Sequence, residues 1–395
     1  MLRSLLEKKD TIEPSSDKME LTKSEENILQ GKEGEGKKKA MEILVTLGEI
    51  NEAEKLIPVK SVQVSGVSYM TIGDAGLDFI RDWANAGAKA AAFATLNPSG
   101  VDIDMAEELG YPEDFTKKQK QIIDVYTSMG ITPSCTCTPY LAGNVPKSGE
   151  HIAWAESSSV IYANSVLGAR TNVESGVSAL ACAIVGKTPY YGLHIEKNRK
   201  PTFEVKVEAD IKDAADYAAL GYIIGQESEG IPLFRGIKPS KDEMKLMGAA
   251  LATGSIHMFH VDGITQEKIK EENLEKIIFT KSDLKDAYAK LNTEDEPDVV
   301  CIGCPHCSVE EAVEVIKSNP KKETWIFTAR KNKDAIEKHA RGKNVKIISD
   351  TCMVVSPLKA LGIKSVGVNS AKAAFYCRNL SGLGVKFDKI KNLIK

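Results

Sequence analysis

From Pro297 to the end of the chain, apolar residues alternate between two spacings. PDVVCIG is an apolar run of strand length, and SVEEAVEVIK behind it repeats apolar residues at helical spacing. Ser308 and Glu311 have the spacing of a capping box at that helix start. TWIFTA, KDAIEKHA and NVKIIS continue as strand, helix and strand. IKSVGVN predicts a fourth strand, and AKAAFYC leads into another helix. Strands alternating with helices in this way predict a parallel sheet with helical cover. Upstream, apolar residues keep helical spacing from Leu21 to LVTLGE, past a lysine-rich GKEGEGKKK expected as a solvated helix entry or loop. SVQVSG is strand-like, Asp74 to Ala86 is helical, and AAAFATLNPSG ends strand-like in a Gly/Pro turn. The stretch from Ala153 to Leu180 is rich in Ala, Ser, Val and Gly, small residues that allow close packing. The expected class is α/β with mainly parallel sheets. Residues 1–18 are polar and without a hydrophobic period, as in a loose extension; 19–290 form one α/β region and 291–395 a C-terminal α/β lobe.

Composition narrows the function classes. Across 395 residues the net charge is only −3, which gives no global field for nucleic acid or an anionic membrane. No apolar run approaches the roughly 18 residues of a spanning helix, and the N-terminus does not read as a signal peptide. A cytoplasmic protein is expected. Its eight cysteines should then stay reduced, as buried thiols, metal ligands or catalytic groups.

Three of them stand in CIGCPHC, residues 301–307. A bacterial ferredoxin run needs a fourth cysteine after three intervening residues and then proline. Glu311 and Ala312 stand there, so that pattern fails. Cys301 lies in the apolar strand and is expected as packing. Cys304 falls in a Gly-Cys-Pro turn beyond the strand, where ligands collect in open α/β sheets and a helix N-terminus favours negative charge. Cys307, near the helix cap, can face either way. Cys352 in SDTCMVV also follows a strand, and neighbouring strands would bring it to Cys304. Cys135 and Cys137 in SCTCTPY have an exposed, loop-like setting suited to a ligand. Cys182 and Cys377 sit in apolar runs and are expected as packing.

Three thiolates from separate loops leave one iron of a cluster open, and an open iron can act as a Lewis acid in a dehydration. Zinc is the rival, with Cys304, His306 and Cys307 as possible ligands. His257 and His260 form a further H-x2-H pair, but their run GSIHMFHVDG is strand-like and would point them to opposite faces. The polar loops suit a small anionic substrate: VSGVSY offers turn amides, TLNPSG offers Asn97 and Ser99, AWAESSSV offers Glu156 and three serines, and NSAKAAFY offers Ser370 and Lys372.

At these residues the chain resembles the aconitase X family, in its large catalytic subunit. The matching stretches are QVSGVSYMTIGDAGLDF, TLNPSG, CTPYLAGNVPKSGEHIAWAESSSVIYANSVLGARTN, GCPH, SDTC and NSAKAAFY, spread over nearly the whole chain. The resemblance implies aconitase-like α/β lobes around an iron–sulfur cluster, closed by a small swivelling domain. It implies cluster ligands at Cys137, Cys304 and Cys352, two of them in the C-terminal lobe. It implies substrate contacts at Gly66, Val67, Ser68, Asn97, Pro98, Glu156, Ser157, Ser370 and Lys372. Glu156 is the candidate for orienting the substrate, and the base is expected as a serine of the small subunit. The cluster implied is [4Fe-4S], with [2Fe-2S] as the alternative.

Two activities go with the family: dehydration of (R)-5-phosphomevalonate to trans-anhydromevalonate 5-phosphate, in an archaeal-type mevalonate route to isoprenoids, and dehydration of cis-3-hydroxyproline. Members of the second kind often carry the small domain in the same chain. Here the chain ends soon after NSAKAAFYCRNLSGLG. The expectation is therefore the phosphomevalonate enzyme, paired with a separate small subunit of about 130 residues, the size of one domain. The same-class alternative is a hydroxyproline or other hydroxy-acid dehydratase. The different-class alternative is a non-catalytic iron–sulfur redox protein.

Overall fold

The computed structural model describes residues 19–269 and 273–395. The head up to Lys18, expected as a loose extension, lies outside the described residues.

The helical period from Leu21 divides in two. Helix α1 (Lys23–Leu29) starts on a Thr22–Glu25 capping box, and α2 (Glu35–Ile50) starts after a glycine turn inside GKEGEGKKK. Helix α3 (Tyr69–Asn85) opens with a turn capped by Ser68 and kinks at Gly73 (φ +57°). Its regular part begins at Asp74, where the apolar period begins, and buries Leu77, Ile80 and Trp83. Strands β1 (Val62–Val64), β2 (Ala94–Leu96) and β3 (Ala153–Trp154) form a parallel sheet in the order β2-β1-β3. Helix α4 (Glu113–Ser128) packs on α3. The small-residue stretch becomes α5 (Ser157–Tyr162), a π-helical turn and α6 (Gly176–Val185), almost wholly buried.

A second parallel sheet has the order β6-β5-β4-β7, from β4 (Phe203–Val207), β5 (Pro232–Arg235), β6 (His260–Val261) and β7 (Glu275–Phe279). Helices α7 (Ala214–Glu227) and α8 (Lys241–Leu251), which follow β4 and β5 in the chain, touch each other closely. A Cβ on Gly221 would lie 2.3 Å from the Met247 carbonyl oxygen. The strand-like run around His257 and His260 shrinks to the two residues of β6, and His260 Nε2 bonds the Arg199 carbonyl at 2.8 Å.

The C-terminal sheet has five parallel strands, one more than the pattern predicted. They are β8 (Val299–Cys307), β9 (Thr324–Thr328), β10 (Val345–Ser349), β11 (Ser365–Val368) and β12 (Gly384–Phe387), ordered β10-β9-β8-β11-β12. Helices α9 (Lys281–Leu291), α10 (Val309–Lys317), α11 (Arg330–Ala340) and α12 (Ala371–Asn379) accompany it. Ser308 and Glu311 form the expected capping box on α10. Two expectations change. Strand β9 lies between β8 and β10, so the strands before Cys304 and Cys352 are not neighbours. The turn expected at Gly303–Pro305 is instead a bulge within β8. Ile302 pairs with Ile326 and Cys307 with Thr328, so five steps of β8 run against two of β9. Gly303 permits it: its φ is +110°, and a Cβ there would lie 2.2 Å from the Phe327 carbonyl oxygen.

The bulge also sorts the cysteines. Cys301 and Cys304 join the large core, whereas Cys307 joins Val300 and Ile302 in a separate core with residues of α10 and α11. Among the described residues no helix is long and apolar enough to cross a membrane.

Candidate active site

The loops leaving the carboxyl ends of the first and third sheets meet around a cavity of about 250 Å³. Asn97 and Pro98 follow β2 and line one wall; Cys137 comes from the loop after α4. Glu156, Ser157 and Ser158 enter at the start of α5. Cys304 and Pro305 project from the β8 bulge, Cys352 follows β10, and Lys372 and Tyr376 stand on α12. The two halves are tied at the floor. Ser99 N–H donates to the Asp350 carbonyl at 2.7 Å, so TLNPSG docks on SDTC. A wider groove of about 540 Å³, between α2, α3 and the start of α6, brings together none of the predicted site residues.

The cavity is also lined by an ion pair. Lys372 Nζ bonds Glu156 Oε1 and lies 3.3 Å from Ser157 Oγ. Glu156 also caps α5 by accepting from Ser159 N–H at 2.7 Å. Burial pushes the Glu156 carboxyl up, but the Lys372 charge and the hydrogen bonds from Lys372, Ser158 and Ser159 outweigh it and hold it below the usual carboxylate range. Burial likewise pulls Lys372 down, and the charge and hydrogen bond of Glu156 more than restore it. Both groups are therefore charged at neutral pH. A carboxylate so engaged is a weak proton acceptor and a firm orienting group.

The thiols have the opposite problem. Burial pushes Cys137, Cys304 and Cys352 above their ordinary value. Lys372 opposes this at Cys304, and the amides of Val354 and Val355 oppose it at Cys352. Main-chain N–H of His306 donates to Cys137 Sγ at 3.2 Å. Buried thiols become thiolates when a metal supplies the positive charge. All eight cysteines are free thiols. Among the described residues no three His, Cys, Asp or Glu converge closely enough on one metal ion. Three thiols spread around a cavity instead suit a cluster, whose ligands each bind a different iron. The residues present fit that group. Asn97 Oδ1 is buried without a hydrogen-bond partner and leaves an acceptor for a bound molecule.

The zinc alternative does not assemble. His306 Nδ1 lies 2.9 Å from Thr136 Oγ1 and its Nε2 lies 2.9 Å from the Thr351 carbonyl, so both ring nitrogens are engaged. Cys307 faces the other core.

Family models describing the first, second and third domains of aconitase X match residues 18–197, 201–289 and 297–395. The chain belongs to the aconitase X family. It is 45% identical to the phosphomevalonate dehydratase large subunit of Methanocaldococcus jannaschii, over 95% of this chain and 100% of that one. The crystal structure of Thermococcus kodakaraensis aconitase X (holo-form) superposes with a TM-score of 0.90 at 45% identity, covering 95% of this chain and 99% of that chain. A cis-3-hydroxy-L-proline dehydratase of Hypocrea jecorina is more distant, 32% identical over 95% of this chain and 68% of that one.

In this aconitase X chain the other residues singled out in the sequence fall outside the cavity lining. Ser68 Oγ donates to the carbonyl of Val355, a lining residue, at 2.8 Å. The carbonyls of Gly66 and Val67 accept from Tyr126 and Gln119. At the end of VSGVSY, Tyr69 N–H is bound to Gln119. Ser370 caps α12, accepting from Ala373 N–H at 3.2 Å. Cys135 and Cys137 are both buried, against the exposed setting expected of them. Cys135, at φ +42°, packs in the first core, while Cys137 lines the cavity. Cys182, Cys301 and Cys377 are core residues. Sequence reasoning missed Gln63, fully buried in β1, whose Nε2 donates to the Thr136 carbonyl at 2.9 Å. A glutamine inside the apolar run VQV was the available signal.

Proposed function

We propose that this chain is the large subunit of a hydro-lyase that dehydrates (R)-5-phosphomevalonate to trans-anhydromevalonate 5-phosphate, in a mevalonate-type route to isoprenoids. The observation that carries the reading is the end-to-end match to a phosphomevalonate dehydratase large subunit, against a weaker and partial match to the hydroxyproline enzyme. The cavity chemistry agrees with it. Cys137, Cys304 and Cys352 are the ligands of a [4Fe-4S] cluster. When bound, such a cluster would offer an open iron to polarise the departing hydroxyl.

The residues of this chain then bind and orient. Asn97, Pro98 and Ser157 hold the substrate in the cavity, and the Glu156–Lys372 pair fixes its polar groups. Ser68 supports the neighbouring wall through Val355, with Gly66 and Val67 held beside it by Tyr126 and Gln119, and Ser370 sets the start of the helix that carries Lys372. The proton acceptor is a serine of a separate small subunit of about 130 residues, one swivelling domain that closes the cavity. The working place is the cytoplasm, where the thiols stay reduced before a cluster is inserted.

Anaerobic mixing of the iron-loaded chain with its small subunit tests this. Loss of water from 5-phosphomevalonate is expected, with no turnover of cis-3-hydroxyproline. The reverse preference would overturn the substrate. A cluster that cycles between oxidation states intact, with neither substrate consumed, would indicate a redox protein.

A further inference from the structure

His306 is fully buried, and the hydrogen bonds of its ring reach two other segments of chain. Its Nδ1 meets Thr136 Oγ1 at 2.9 Å, next to Cys137. Its Nε2 meets the Thr351 carbonyl at 2.9 Å, next to Cys352. Cys304 lies two residues back on its own strand, across Pro305. Three segments far apart in sequence, each contributing one cavity thiol, thus converge on one imidazole. The partners also set its tautomer. A carbonyl only accepts, so Nε2 carries the hydrogen and Nδ1 accepts from the Thr136 hydroxyl. Thr136 Oγ1 is held in turn by Thr138 N–H at 3.1 Å. The Thr136 carbonyl receives Gln63, and Gln63 receives Ser159 of α5. No ring nitrogen is left over for a metal.

We propose that His306 is the positioning residue of the thiol triangle: its ring pins the Cys137 and Cys352 loops against the Cys304 bulge, so that the three sulfurs are arranged before a cluster arrives. The proposal rests on the assignment of those three cysteines as cluster ligands. The side chain acts through its neighbours and touches no iron. Residues that orient metal ligands in this way commonly change metal affinity about 10–100-fold when removed.

The test uses the full chain, loaded anaerobically with iron and sulfide, and follows iron release to a chelator, the electron paramagnetic resonance spectrum of the reduced cluster, and thermal unfolding of the iron-free chain. His306→Ala is expected to release iron about 10–100-fold faster and to change the spectrum. Thr136→Val removes one of the two ring bonds without touching His306, and should shift release in the same direction by less. His306→Asn places an amide near Nδ1, and His306→Gln reaches the position of Nε2. Each should recover part of the loss. Wild-type release and spectrum in His306→Ala, or in Thr136→Val if the alanine variant does not fold, would overturn the proposal. So would a lowered unfolding temperature with unchanged release and spectrum, since that describes packing alone. Failure of the wild-type chain to hold iron would instead overturn the ligand assignment, and the proposal with it.

Discussion

Lys372 shows most directly what the cavity demands of a side chain. It and Glu156 are both nearly buried, with side-chain exposures of 10% and 9%. Removing one partner of such a pair leaves an uncompensated charge and costs about 3–5 kcal/mol. Lys372→Met is therefore expected to lower unfolding stability by that order and to abolish turnover. Denaturant unfolding and a turnover assay check the two halves separately. Glu156→Gln leaves the Lys372 charge uncompensated in the same way, so it should lower stability comparably even though its amide oxygen can still accept from Ser159 N–H. At this scale the sequence was informative about residue type and less so about setting. Lys372 in the first turn of a helix and Ser370 at its cap were legible, since caps and first turns are local. The burial of Cys135 and Cys137 was not, because the polar residues around them are satisfied by distant partners: Thr136 by His306, and its carbonyl by Gln63.

The β8 bulge decides which thiol of CIGCPHC reaches the cavity. The apolar run and the capping box made a strand and a helix legible in the sequence. The bulge depends on how β9, the next strand in the chain, pairs with β8, and no local pattern reports that. Gly303→Ala tests it. A non-glycine residue at φ +110° costs at least about 1–3 kcal/mol from the backbone alone. The clash with the Phe327 carbonyl adds displacement of Cys304. Lower unfolding stability is expected together with reduced iron per chain. Full iron content in a well-folded Gly303→Ala would contradict the role given to the bulge. The strand order was also hidden. Sequence shows that β8, β9 and β10 alternate with helices, but not that β9 lies in the middle.

At the scale of the whole chain, the α/β class with parallel sheets was legible because period-2 and period-3.6 stretches alternate clearly. The meeting of three remote loops was less legible: the strand adjacency expected to bring Cys352 to Cys304 does not hold, and the full set of three came from family resemblance. The assembled fold also buries histidines whose protonation opposes folding. Burial, with His151, Arg199 and Arg170 nearby, pushes His194 down to about 3 from its ordinary 6.5. Below pH 6.5 the unfolded chain takes up a proton that the folded chain refuses, so stability falls from there towards pH 3. Denaturant midpoints at pH 7.5 and about pH 5 should differ in that sense, and His194→Gln should remove part of the difference. An unchanged slope in that variant would assign the acid sensitivity elsewhere.

The central claim is that each of three distant segments supplies one sulfur to a single cavity. Iron per chain in Cys304→Ala, measured beside Cys301→Ala and Cys307→Ala after anaerobic loading, tests it most directly. The account predicts that Cys304→Ala loses the cluster while the other two keep it. Full iron in Cys304→Ala, with loss in Cys301→Ala or Cys307→Ala, would contradict it.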